Sequence, residues 1–245
     1  MTPAGVLRAE WTKVHTVRAT LIALACVLPA TAGASALACA SYRPAAEADF
    51  DPVFHAFFGL CFGQLAALCF GVLVVTAEYR TGGIRTALAA VPRRGLFYGC
   101  KLAVIGACGL AVGLLTGFVS LLSGQALLGG AGVGIGADGA LRAALGCGLY
   151  LGLLTVLAAG VATAVRSQVA ALGLLVPLLT LVQPVVGTTS AAYRLTRLLP
   201  DAAGQAVLHT RPTDGLGPWS GLAVLAAWTL AAVLAGWWVL ERRDA

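Results

Sequence analysis

Charge is what this chain has least of. Only 11% of its 245 residues are charged, against 59% hydrophobic, and the mean hydropathy is +0.90. A water-facing domain of this length cannot hide so much apolar surface, so an integral membrane protein is implied. Lysine occurs only at Lys13 and Lys101, and neither follows a glycine. The phosphate-cradling pattern GxxxxGK[ST] is therefore missing, and the chain has no such loop with which to use ATP. His15, His55 and His209 fall at different membrane levels, and no acid lies deep in an apolar run. That argues against the paired acids, Ser–His dyads and His-rich metal clusters of membrane-embedded enzymes, so no catalytic residue, metal or bound cofactor is expected. The cysteines Cys26, Cys39, Cys61, Cys69, Cys100, Cys108 and Cys147 form no CxxC pair and lie within or beside apolar runs. They read as small hydrophobes rather than as disulfides or metal ligands.

What is present is apolar helix. A hydrocarbon layer of about 30 Å needs about 20 apolar residues, and six runs of that order appear, at about 20–40, 53–77, 96–122, 143–165, 169–188 and 220–240. Alternation of period two is absent, which argues against an outer-membrane barrel. The expected fold is an all-α integral membrane protein of six spans forming a single domain over 1–245.

Orientation follows from the basic residues, because Lys and Arg resist translocation. With both termini cytosolic, the inside holds Arg8, Lys13, Arg18, Arg80, Arg85, Arg93, Arg94, Lys101, Arg166, Arg242 and Arg243, and the outside holds Arg43, Arg142, Arg194, Arg197 and Arg211. Eleven against five favours that topology. The acids lean the other way, with Glu10, Glu78, Glu241 and Asp244 inside and the other six outside. This asymmetry and anionic lipid heads account for the net charge of +6 without nucleic acid.

Before the first run, "VLRAEWTKVHTVRA" places Leu7, Trp11, Val14, Val17 and Leu21 at helical spacing, which predicts an interfacial amphipathic helix over about 5–18. The small residues of "ASALACA" have signal-peptidase spacing, but the long, Glu10-containing lead predicts an uncleaved first span. Glycines recur every four residues at Gly59 and Gly63, at Gly109, Gly113 and Gly117, and at Gly148 and Gly152, predicting close helix pairs. Gln64 and Gln183, with Pro184 beside it, are polar or kinking positions within runs and could line a translocation path or join helices. Lys101, His55 and Arg142, near run ends, are expected to snorkel to head groups. "LLPDAAGQAV" predicts a short helix through Val207, capped by Pro200 and Asp201.

The segment "EYRTGGIRTALAAVPRRG", Glu78 to Gly95, stands out for its four arginines. Its core is helix-competent, entered through glycines and stopped by Pro92, so a short cytosolic helix is predicted between two spans. Taken in order, "LRAEWTKVHTVRAT", "VTAEYRTGGIRTALAAVPRRG" and "LLPDAAGQAV" resemble the pattern of ABC-2 type transporter permeases. The match is to the six-span membrane subunits of bacterial ABC exporters, with departures at Val14, His15 and Gly83. The resemblance covers essentially the whole chain.

It implies that Thr81 to Val91 is a coupling helix pressing on a separate ATP-binding cassette ATPase, which would hold the ATP and Mg. Glu78, Arg80, Thr81, Arg85, Thr86, Arg93 and Arg94 would sit at or near that contact, with Glu78 pairing with Arg80 or with a residue of the N-terminal helix. Arg8, Glu10, Trp11, Lys13 and Arg18 would belong to the interfacial helix, and the region before the last span to an outer gate. A second permease copy, homodimeric or heterodimeric, a bacterial cytoplasmic membrane and outward movement of a small hydrophobic substrate such as an antibiotic are also implied. A different class stays open: a membrane immunity or sensor protein that binds a toxin without transporting it.

Overall fold

Pro3 opens the first helix, where its missing N–H costs nothing, and α1 runs Pro3–Thr16. Val17 is extended, at φ −86° and ψ 108°, so the chain turns there and α2 (Arg18–Ser41) begins a new direction. The interfacial helix expected through Arg18 therefore stops two residues earlier. In a computed structural model, the described residues are 2–42, 50–91, 93–134, 136–182, 196–210 and 217–242, the side chains of Arg85 and Leu88 excepted. Among them there is helix and no strand.

The remaining helices are α3 (Pro52–His55), α4 (Leu60–Thr81), α5 (Gly83–Ala90), α6 (Arg94–Leu128), α7 (Ala140–Val165), α8 (Gln168–Thr180), α9 (Pro200–Gln205) and α10 (Pro218–Arg242). Five of them, α2, α4, α6, α7 and α10, are long and apolar enough to cross a membrane. The run expected to open at Val53 is divided: the Asp51 carboxylate accepts from the N–H groups of Val53 and Phe54 and caps α3, and the spanning helix starts only at Leu60. The third run continues past Leu122 to Leu128. Of the fifth, the helix through Thr180 has 13 residues, about 20 Å long; Gln183 and Pro184 lie outside the described residues. The short helix at Pro200 forms as expected and continues as a 3-10 turn through Leu208.

Helix α7 is the centre of the bundle, with 72% of its most apolar window buried, against 22% for α2 and α10. The predicted glycine rows pack the interior. A side chain at Gly63 would strike Thr31 of α2, and one at Gly117 the carbonyl of Ala144. Gly113 lies against Gly148, 3.0 Å from its Cα to a Cβ built on Gly113. Lipid tails are as apolar as leucine, so close backbone approach rather than oiliness selects helix partners here. Leu7 (38% exposed) and Trp11 (51%) face away from the bundle, while Val6, Glu10 and Val14 face in.

Candidate functional site: a buried charge ring beside a short exposed helix

Three elements meet where α1 crosses the end of α4 and the start of α6. About two turns into α6, Lys101 is 4% exposed, and Glu10 on α1 is 2% exposed. Lys101 Nζ lies 2.6 Å from Glu10 Oε2 and 2.8 Å from Glu78 Oε1. Lys13 Nζ lies 2.5 Å from Glu10 Oε1 and 2.7 Å from Glu78 Oε1. Two ammonium and two carboxylate groups thus close a neutral ring, with every charge touching two opposite ones. Both ammonium groups also stand over the Phe97 ring, at 5.4 Å for Lys13 and 5.0 Å for Lys101. Burial pulls the Lys13 ammonium down, but the hydrogen bonds and charges of Glu10 and Glu78 outweigh it and hold the group above its ordinary 10.5.

The placement of Lys101 corrects the expectation that it snorkels. Its stem points inward because Glu10 and Glu78 offer two carboxylates there, and leaving either unpaired in an apolar interior costs more than burying the amine. Arg142 does not extend to head groups either: at the far end of the bundle it donates to the His209 carbonyl at 2.6 Å.

Beside the ring is a cavity of about 480 Å³, walled mostly by apolar side chains including Val6, Val14, Val74 and Val91. Its rim is α5. Gly82, at φ 69°, takes the left-handed conformation that ends α4 and turns the chain into α5. Ile84 fixes one end of α5 against Tyr98 and Leu240, and Val91 the other against Val6, Phe97 and Cys100. Thr81, Thr86, Ala89 and Ala90 are exposed, as are Arg80 and Arg93 at its flanks. Arg94 turns back: its guanidinium donates to the carbonyls of Leu240 at 2.7 Å and Glu241 at 3.3 Å, closing the end of α10. Arg8, Trp11 and Arg18 lie on the exposed side of α1 and the start of α2. The Arg85 side chain lies outside the described residues.

A second polar cluster sits toward the opposite end. Gln64 on α4 is 2% exposed, and its Oε1 lies 2.5 Å from the hydroxyl of Tyr150 on α7. The same hydroxyl is 2.6 Å from Asp201 Oδ1 on α9, and Gln205 Nε2 donates to that oxygen at 2.8 Å. Asp201, expected as a cap, sits in the first turn of α9 with its carboxyl turned into the bundle. Nothing in the sequence marks Tyr150, because a tyrosine in an apolar run is indistinguishable from packing. Among the described residues no group of three His, Cys, Asp or Glu could hold a metal ion. No family model matches this chain, and no curated protein matches it.

Proposed function

We propose that the chain is the membrane subunit of an ATP-binding cassette exporter of the ABC-2 type. Its spans number six and both termini are cytosolic, with a separate ATPase supplying ATP and Mg, and a second permease copy completing the pore. The observation that carries this reading is α5: a short helix between two spanning helices, exposed on one face and keyed into the bundle at both ends by Ile84 and Val91. A load on its exposed face reaches α10 through Ile84, α1 through Val91, and α4 and α6 through the ring one turn away. Such a lever suits a protein that takes its energy from a partner.

Sixth-span topology is supported by parity. Helix α7 ends, at Arg166, beside Val239 near the close of α10, to whose carbonyl Arg166 donates at 3.2 Å. The start of α10 packs by Gly221 on Ala203 of α9, near the far end. The chain between the end of α7 and the start of α10 therefore changes sides. The broad exposed faces of α2 and α10, with Trp219, Trp228 and Trp238 on the latter, are suited to lipid or a second copy. Cargo of hydrophobic character fits the apolar bundle.

The test is co-expression with an ATP-binding cassette protein encoded next to this chain's gene, where one is found, followed by purification in mild detergent. A complex whose ATPase activity responds to the permease, and which loses that response when Arg80 and Arg93 are reversed to Glu, is expected. A chain that elutes alone, while a control transporter stays assembled, refutes the reading and favours a stand-alone sensor or immunity protein.

A further inference from the structure

The cluster around Tyr150 fails a count of hydrogens. Four atoms stand in a row: Gln205 Nε2, Asp201 Oδ1, Tyr150 Oη and Gln64 Oε1, with successive separations of 2.8, 2.6 and 2.5 Å. Three contacts of that length each need one hydrogen between the atoms. The Gln205 amide supplies the first. The Tyr150 hydroxyl has a single hydrogen and serves one of the other two. An ionised Asp201 has none to give, so one contact would set two oxygen lone pairs against each other.

Turning the Gln64 amide over would supply the missing hydrogen from nitrogen. That arrangement keeps Asp201 ionised, however, and its surroundings do not favour a charge. Asp201 is 6% exposed and Tyr150 is fully buried, and among the described residues no ion pair includes Asp201. A buried charge without a cation is costly enough that the group takes up a proton instead.

We infer that Asp201 binds a proton in this fold, donating it to Tyr150, which donates in turn to Gln64, so that the row is a proton-binding site joining α9 to α7 and α4. All three hydrogen bonds then run in one direction, from Gln205 to Gln64, an arrangement in which each strengthens the next. Among the described residues the titratable groups facing it are few: Tyr150 and Cys147 come from α7 and Cys61 from α4. Helix α8 and the first half of α10 bring none. Burial raises the Asp201 carboxyl above its ordinary 3.8, although hydrogen bonds from Tyr150 and Gln205 favour the charged form. The site is independent of the transport reading, since it stands on the row alone.

Infrared spectroscopy of the purified chain in lipid vesicles at neutral pH tests it. A carboxylic-acid C=O band equivalent to one group per chain is expected, lost in Asp201→Asn and shifted in frequency in Tyr150→Phe. If Asp201→Asn does not accumulate, the band is assigned in the wild type by ¹³C-carboxyl labelling of aspartate. A wild-type spectrum that contains only ionised aspartate at neutral pH overturns the proposal and means that the Gln64 amide is turned over.

Discussion

Removing Lys101 tests the ring most severely. In Lys101→Met the stem is kept while the ammonium is lost, leaving Glu10 Oε2 without its 2.6 Å partner and Glu78 with only Lys13. The Lys101 and Glu10 side chains are 5% and 3% exposed, so water replaces the contact poorly. Breaking a buried pair from one side costs about 3–5 kcal/mol, which for a chain of this size lowers the melting midpoint by on the order of 10 °C. Lys13 is the control. Its side chain is 41% exposed, so solvent screens the loss and Lys13→Met is expected to cost only about 1 kcal/mol. Tryptophan fluorescence of detergent-solubilised protein during heating would read both. The pairing is confirmed if Glu10→Gln in the Lys101→Met background costs much less than it does alone, because the two changes then remove one shared interaction. A Lys101→Met midpoint within about 2 °C of wild type would refute the argument, since that corresponds to no more than about 1 kcal/mol.

Three further outcomes rest on named contacts. A side chain at Gly71 would strike the Thr155 carbonyl and lie 2.9 Å from Ala158 Cβ, whereas a Cβ at Gly99 would meet nothing within 4 Å beyond its own helix backbone; Gly71→Val should cost about 1–3 kcal/mol or more and Gly99→Val almost none, read by the same melting assay. Arg94→Ala removes the two donors that close α10 and is expected to lose about 1.5–3 kcal/mol, with faster amide exchange confined to the last turn of α10. For Asp201 the folded value is raised, so the fold binds the proton more tightly than the unfolded chain. Its contribution to stability is then complete below 3.8 and is lost as pH rises through the folded value. The midpoint of Asp201→Asn relative to wild type should therefore climb with pH across that window; a flat difference would show that the group has an ordinary value.

The long helices were legible because their signal is additive: some twenty apolar residues announce a span whichever way each one faces. The glycine rows were legible too, since only a small residue admits a neighbouring backbone, and Gly63, Gly113 and Gly117 are all found at such approaches. Direction around a helix was not legible. On α1, Leu7 and Trp11 form as good an apolar row as Val6 and Val14, yet the first faces outward and the second inward. In water that choice would follow from hydrophobicity, but beside a membrane both sides welcome an apolar face. What decides it is Glu10, which lies one turn from both Val6 and Val14 and must reach Lys101. The identity of that partner could be suspected only from composition: the ring uses both lysines of the chain.

The two polar clusters are placed where the bilayer itself cannot organise the chain. A spanning helix is held upright by the thickness of the hydrocarbon layer and needs only a close-packing face to find its neighbours. Helices α1 and α9 are too short for that constraint, with 14 and 6 residues. Each is instead fastened by polar groups reaching two spans: Glu10 and Lys13 to α4 and α6, Asp201 to α7 and, through Tyr150, to α4. Hydrogen bonds and ion pairs fix register and direction where apolar contact would let a short helix slide. Helix α4 takes part in both, carrying Glu78 near one end and Gln64 near the other. A shift of α4 along its axis would therefore strain both clusters at once, so among the described helices it is the one shared by the two clusters that hold the short elements at opposite ends of the bundle.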